Sequence, residues 1–275
     1  MEIAQTNFIL LGYPRCGSTL LSLALGSHRH VRMFLELFHH DPYTRRKFYR
    51  ADKLDVGSEG QMRIRKNLRY YRAGEKGDQF LNDAVFYSRQ CVKPLAVGFK
   101  FFYNHAREDE NMKTAWDFVI QNKDVRVINL VRKNLLEAKL SRERAKLTGQ
   151  WTKHIGDARQ WTKQTEVEGL PSDASPIFLD PHDCEQFFNR VLAYRAWAAC
   201  AFSDHPFLEI TYENHLCNRL QDTMLTLQGF LSIPACDTKI LTEKQSTLPT
   251  ELQIVNYSEL RQYFRHTIHQ TYFTD

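Results

Sequence analysis

Short apolar runs alternate along the chain with longer segments whose apolar residues have helical spacing. Residues 8–11 form a continuous apolar run before Gly12 and Pro14, and residues 125–131 form a second run rich in valine and isoleucine. Runs of this length, bounded by glycine, proline or charge, are typical of buried parallel strands. Similar runs predict further strands at residues 31–38, 95–103 and 206–212.

The segments between these runs carry helix signals. Ser18 or Gly17 begins one helix, which Gly26 ends, and Asn134 is placed to cap another. Asp180 and Pro181 have the preferences of N-cap and N1 for a helix that reaches residue 202. Further helices are predicted at residues 110–122 and 219–233, the latter ended by a proline, and at 256–264, with a capping box.

The alternation of strands and helices predicts a three-layer α/β/α fold with a central, mostly parallel sheet. We find no internal repeat and no linker, so we predict one domain over residues 1–275. Ligands of such sheets bind beyond the carboxyl ends of the strands. The segment 12–19 and Arg132 both follow predicted strands, so we expect them to face one crevice.

Composition changes this picture little. The chain is 43% hydrophobic and 25% charged, with a net charge of +5, which suits an anionic ligand without requiring nucleic acid. The six cysteines are scattered, which predicts reduced thiols and a cytoplasmic protein rather than a zinc site. No apolar run has the length of a membrane span, and we identify no signal peptide.

The segment GYPRCGST, residues 12–19, nearly matches the phosphate-loop pattern G-x-x-x-x-G-K-[ST], with Ser18 at the lysine position. A glycine turn that enters a helix presents backbone N–H groups to an anion. Arg15 supplies a cation three positions earlier, and Ser18 and Thr19 supply hydroxyls. The segment therefore predicts an anion site, although short glycine motifs also occur by chance.

A second cationic position follows residues 125–131. Arg132 ends that run, and Ser141 lies nine residues later, two turns into the next predicted helix. An arginine at a strand end and a helical serine can bind a second phosphate. The alternative is a solvated basic helix face.

Together, YPRCGSTLL and LVRKNLLEAKLS resemble the sulfotransferases that use 3′-phosphoadenosine 5′-phosphosulfate, particularly the bacterial members. VGFKFFYNH, EITYENHL and EKQSTLP also resemble segments of that group, so the resemblance spans about residues 8 to 265. It implies a P-loop-like fold and sulfuryl transfer to an alcohol or phenol, with the phosphosulfate as donor and no metal. Its motifs place the donor on the residues Pro14, Arg15, Cys16, Gly17, Ser18, Thr19, Arg132, Ser141, Lys244 and Thr247. In many relatives the serine lies eight residues after the arginine, and this spacing would give the role of that arginine to Lys133 here. We prefer Arg132, because its guanidinium is a planar fork.

The resemblance also implies a general base, and Glu36 in FLELFHH matches the glutamate with that role. Burial in an apolar segment would raise its pKa, whereas the alternative is a surface glutamate on a strand edge. The proposed catalytic set is Glu36, Arg15, Lys100 and His40, and either His39 or His40 remains an alternative base. Lys100 can point at the donor or acceptor, or else face solvent.

Two other functions remain possible. A nucleotide-dependent kinase or hydrolase would need a loop lysine and an acidic Mg²⁺ ligand after a strand, where this chain has Arg132. RIRKNLRYYR, residues 63–72, mixes cations and tyrosines as single-strand binders do, although a solvated helix face or a lid is commoner. The acceptor, whether small molecule, lipid or carbohydrate, is not encoded in any segment that we can interpret, and neither is the oligomeric state.

Overall fold

The computed structural model describes residues 4–41, 74–86, 94–154, 175–243 and 248–273. The strands are β1 Thr6–Gly12, β2 Val31–Phe34, β3 Ala96–Phe102, β4 Arg126–Val131, β5 Lys153–His154, β6 Phe207–Thr211 and β7 Thr242–Glu243. The α-helices are α1 Ser18–Gly26, α2 Gly77–Phe80, α3 Glu110–Gln121, α4 Leu135–Thr148, α5 Pro181–Ala201, α6 Leu220–Phe230 and α7 Tyr257–Tyr263. Leu81–Phe86 and Tyr212–Leu216 are π-helical, and Thr250–Gln253 and Ile268–Phe273 are 3₁₀-helices.

Five strands form a parallel sheet in the order β2-β3-β1-β4-β6. β5 and β7 form a separate antiparallel pair. The chain adds β2 and β3 on one side of β1 and then crosses to β4 on the other side. The loop after β1 therefore lies where the direction of winding reverses, which is the usual ligand position in open α/β sheets.

The two faces of β1 enter two separate hydrophobic cores. Ile9 and Leu11 pack with residues of α3, α4 and α5, whereas Phe8 and Leu10 pack with residues of α1 and α6. Because successive side chains of a strand point to opposite faces, a strand buried on both faces is apolar throughout. The predicted α/β fold with helices on both faces of a parallel sheet is confirmed, whereas the prediction of one domain stays a prediction.

Local predictions near helix ends were partly right. Asn134 and Asp180 cap α4 and α5 with their side chains, as expected. The capping box predicted at Asn256 is wrong: its side chain makes two hydrogen bonds with the backbone of Leu179 instead, at 3.1 and 2.9 Å. A long-range contact thus takes the side chain that the local pattern assigned to a cap. α6 also ends at Phe230, before the predicted proline.

We expect Gly98→Ala to destabilise the fold, because a Cβ at this position would lie 2.5 Å from the buried ring of Phe8. Overpacking of this kind costs about 1–3 kcal/mol. The matched control is Gly229→Ala in α6, where a Cβ meets nothing within 4 Å and alanine favours the helix. Thermal unfolding should show a lower midpoint for Gly98→Ala only; equal midpoints would contradict the packing argument.

Candidate functional site

The loop between β1 and α1 has an unusual backbone. Arg15 and Gly17 both have positive φ, 74° and 91°, and a Cβ at Gly17 would lie 2.6 Å from the ring of Tyr212. Gly17 is the N-cap of α1, and no side chain among the described residues caps this helix. The first N–H groups of α1 are therefore left to an anion, which the positive end of the helix also favours.

Arg15 leaves this loop toward α4. Its Nε and Nη2 donate to Ser141 Oγ at 3.0 and 2.8 Å, and its Nη1 donates to the carbonyl of Trp151 at 2.5 Å. Its guanidinium also lies 5.9 Å from the centroid of the Trp151 ring. The two motifs that the sequence placed 126 residues apart are thus in direct contact.

Arg132 follows β4 and is almost completely buried behind the loop. Its Nη1 donates to the carbonyl of Arg15 at 3.2 Å, its Nη2 donates to Glu137 Oε2 at 2.5 Å, and its guanidinium lies over the ring of Tyr212. The carbonyl of Arg132 accepts a hydrogen bond from Arg195. Both ends of Arg132 are therefore fixed by the fold.

Two cations in one partly buried place have an electrostatic cost. Burial, and then the neighbouring charge of Arg132, lower the pKa of Arg15 to about 10. A bound anion removes this repulsion, so the site favours a ligand with negative charge. Without a bound anion, the ion pair with Glu137 offsets part of the positive charge of Arg132.

These groups line one open cleft. Its described walls come from the loop, α4, the segment after α4, the π-helical turn and the C-terminal part of the chain. They are Arg15, Gly17, Ser18, Thr19, Leu20, Arg132, Glu137, Leu140, Ser141, Arg144, Trp151, Thr152, Tyr212, Thr242, Leu248, Thr250 and Gln253. Arginine forks, hydroxyls and aromatic rings in one cleft fit a ligand with both phosphates and a ring system.

Lys100 connects the other side of the loop to Glu36. Lys100 is 2% exposed, and its Nζ donates to Thr19 Oγ1 at 3.1 Å and to Glu36 Oε1 at 3.3 Å. Glu36 follows β2, and its side chain is 15% exposed. The solvent-facing alternative for Lys100 is therefore wrong, and a buried ion pair lies beside the loop.

The expectation that burial raises the pKa of Glu36 is also wrong. Burial alone would raise it, but the charge of Lys100 and the nearby His105 and His39 together lower the pKa of Glu36 to about 2. The sequence argument failed because it considered an unpaired carboxylate. The paired carboxylate is ionised at neutral pH, which is the form that accepts a proton.

Three histidines lie close to this pair. His105 Nε2 lies 3.6 Å from Glu36 Oε2, and the ring of His39 lies 5.8 Å from that of His105. His40 is exposed and stacks on His39 at 4.3 Å between ring centroids. Of the predicted catalytic set, Arg15, Lys100 and Glu36 thus lie in or beside the loop. His40 is farther from Glu36, because the ring of His39 lies between His40 and His105.

The other predicted residues lie in different surroundings. Ser18 and Thr19 line the cleft, whereas the Cys16 side chain is buried in a core, which leaves only its backbone for a ligand. Lys133 is exposed, so the structure turns Arg132 rather than Lys133 toward the loop. Lys244 and Thr247 lie outside the described residues, as does the segment 63–72.

Sequence reasoning missed His105, Glu137 and Tyr212. Each lies in or beside a segment that the resemblance had marked: the end of VGFKFFYNH, the first turn after Arg132, and the middle of EITYENHL. The position after a strand end was the signal that could have identified them.

The described part of the chain contains neither a cluster of metal-ligating side chains nor a membrane-spanning helix. No group of three or more His, Cys, Asp or Glu residues there has the arrangement of a metal site. No helix among the same residues is long and apolar enough to cross a membrane. The five cysteines in these ranges are free thiols.

We expect Glu36→Gln to change how stability depends on pH. Because the folded pKa lies below the unfolded one, ionised Glu36 stabilises the protein above about pH 5, by ~3 kcal/mol, and this contribution is lost as the pH falls toward 2. Urea unfolding should therefore show a stability gap between wild type and variant that narrows between pH 5 and 3. The matched control is Glu110→Gln, an exposed partner of Lys113, which should leave no gap. A pH-independent gap for Glu36→Gln would contradict the pairing.

No family model matches the chain. Nodulation protein H of Rhizobium meliloti (strain 1021) is 28% identical over 163 residues, and the match spans 58% of this chain and 58% of that protein. A solved sulfotransferase from Alicyclobacillus acidocaldarius is 12% identical with a TM-score of 0.44, and the superposition covers 96% of this chain and 92% of that one. The chain thus spans about 58% of the length of the nodulation protein that it matches.

Proposed function

We propose that this protein is a sulfotransferase that moves the sulfuryl group of 3′-phosphoadenosine 5′-phosphosulfate to a hydroxyl of an acceptor. The main support is the contact between the two motifs that are expected to bind anions. Arg15 of the loop donates to Ser141, and Arg132 donates to the Arg15 carbonyl. A cleft with two separate cationic positions suits a donor with a phosphate at each end. The Lys100–Glu36 pair lies beside the loop, because Lys100 also bonds Thr19, and Glu36 can serve there as the base.

The donor would lie with its phosphosulfate on the loop and its 3′-phosphate toward Arg132 and Ser141. The first N–H groups of α1, with Ser18 and Thr19, would bind the 5′-phosphate oxygens. Arg15 would offset charge that develops on the bridging oxygen, since electrostatic stabilisation is the main requirement of such transfers. These interactions use positions that the fold already fixes, and none of them calls for a metal.

The reaction would proceed in line. The acceptor oxygen forms a bond to sulfur while the bond from sulfur to the bridging phosphate oxygen breaks, and its electron pair leaves with the 5′-phosphate. Glu36 would take the proton of the acceptor hydroxyl, and Lys100 would donate to the sulfonate or the bridging oxygen from beside Thr19. The products are a sulfate ester and 3′-phosphoadenosine 5′-phosphate.

The acceptor remains open at the level of a small molecule, lipid or carbohydrate hydroxyl. The similarity to a nodulation protein is compatible with any of these. A labelled-donor assay on a cell extract, with the product identified by mass, would identify the class. A cytoplasmic location and action without nucleic acid complete the proposal.

We expect Arg132→Gln to weaken binding of 3′-phosphoadenosine 5′-phosphate by ~10-fold or more, because a charged bidentate contact is lost. The control is Lys133→Gln, whose side chain is exposed, and which should bind within about twofold of the wild type. Calorimetric titration measures both, and a larger loss for Lys133→Gln would reverse the assignment.

Arg15→Ala and Glu36→Gln should separate binding from turnover. Arg15→Ala removes the contact with Ser141 and should lose most activity, by ~10²-fold. Glu36→Gln should lower kcat while the Kd of 3′-phosphoadenosine 5′-phosphate stays unchanged. Full turnover by Glu36→Gln would show that another group is the base.

A titration with Mg-ATP tests the kinase alternative. In this chain β4 leads into Arg132 rather than an aspartate, so Mg²⁺ should not strengthen nucleotide binding. We expect 3′-phosphoadenosine 5′-phosphate to bind more tightly than ATP and independently of Mg²⁺. Tight binding of ATP that requires Mg²⁺ would contradict the sulfotransferase proposal.

A further inference from the structure

His105 is buried in the turn after β3, and its surroundings determine its tautomer. The backbone N–H of Phe102 donates to His105 Nδ1 at 3.3 Å. A neutral imidazole has one donor and one acceptor nitrogen, so acceptance at Nδ1 leaves the proton on Nε2. Burial lowers the pKa of His105, although Glu36 opposes this, so the ring is neutral at physiological pH.

The protonated nitrogen faces Glu36. His105 Nε2 lies 3.6 Å from Glu36 Oε2, while Lys100 Nζ lies 3.3 Å from Oε1. The distance to His105 is just longer than a hydrogen bond, so a movement of a few tenths of an ångström completes one. Each carboxylate oxygen thus has a different donor beside it.

The position of His105 is fixed from several sides. Its carbonyl accepts a hydrogen bond from Trp116 Nε1 at 2.8 Å, and its N–H donates to the Phe102 carbonyl at 2.8 Å. Its ring lies 5.0 Å from that of Phe102 and 5.8 Å from that of His39. A side chain held in this way can orient a neighbour, because it cannot follow the neighbour's motion.

Lys100 is held less exclusively. It binds Thr19 as well as Glu36, so it touches the loop and the carboxylate at once. An anionic donor on the loop would attract Lys100 and so weaken its hold on Oε1. The second donor, on Oε2, would then keep the carboxylate in place.

We propose that His105 is a positioning residue that holds Glu36 in the orientation from which it accepts the acceptor's proton. His105 itself touches neither donor nor acceptor in this proposal. The inference rests on the proposed function, since it assigns a support to the proposed base.

Two variants of His105 separate its two nitrogens. His105→Asn keeps an acceptor near Nδ1 for the Phe102 N–H but is too short to reach Glu36. His105→Gln reaches the level of Nε2 and can donate to Glu36. We expect His105→Asn to lower kcat by ~10-fold, with the Kd of 3′-phosphoadenosine 5′-phosphate and the acceptor KM within about twofold of the wild type. His105→Gln should recover kcat to within about threefold of the wild type.

The same measurement in a Glu36→Gln background completes a double-mutant cycle. If His105 acts through Glu36, His105→Asn has no further effect on the residual rate there. An equal fold-loss in both backgrounds, or a His105→Gln variant as slow as His105→Asn, overturns the positioning role while leaving the base assignment intact. Full turnover by Glu36→Gln alone overturns the base assignment, and the positioning role with it.

A spectroscopic measurement keeps the inference testable if a His105 variant fails to fold. Nitrogen-15 spectra of the histidine rings should assign the His105 proton to Nε2, and this signal should shift in Glu36→Gln. A proton on Nδ1, or a signal that does not respond to Glu36→Gln, overturns the proposal.

Discussion

The site depends on the contact between Arg132 and the loop after β1. Arg132 donates to the carbonyl of Arg15, and its own carbonyl accepts from Arg195 of α5. This contact adds to the bonds from Arg15 to Ser141 and from Lys100 to Thr19 in holding the loop, where Arg15 and Gly17 have backbone angles that an ordinary chain avoids. By tying β4 to this loop, Arg132 fixes where the N-terminus of α1 and the side chain of Arg15 point.

The same arrangement brings several cations together. Glu137 faces Arg132 and Glu36 faces Lys100, while Arg15 donates to Ser141 and to the Trp151 carbonyl. Burial and the charge of Arg132 lower the pKa of Arg15, and a bound anion would offset the repulsion between the two cations. We infer that the fold stores an unfavourable interaction between cations which its ligand relieves.

The ion pairs Arg132–Glu137 and Lys100–Glu36 differ in how far apart their partners lie in the sequence. Glu137 lies on the first turn of the helix that follows Arg132, so its contact is local. Glu36 and Lys100 are 64 residues apart and meet only because β2 and β3 are neighbours in the sheet. This second pair keeps the carboxylate ionised although burial opposes its charge, and the proposed chemistry requires the ionised form.

The sequence by itself determined the strands and helices and the strand ends at which the candidate site residues lie. Apolar runs located all five strands of the parallel sheet to within a few residues, because a strand buried on both faces has to be apolar throughout. The loop residues Arg15 to Thr19 and Arg132 could also be identified locally, since each follows a strand or begins a helix, whereas Ser141 was identified by its spacing from Arg132. Only the tertiary structure decided which side chains meet. It paired Lys100 with Glu36, brought His105 to the second carboxylate oxygen, and gave Asn256 to Leu179 rather than to a cap. The pKa of Glu36 could not be read from its neighbours in sequence, because the charge that sets it comes from another strand, and electrostatic effects depend on distance in space.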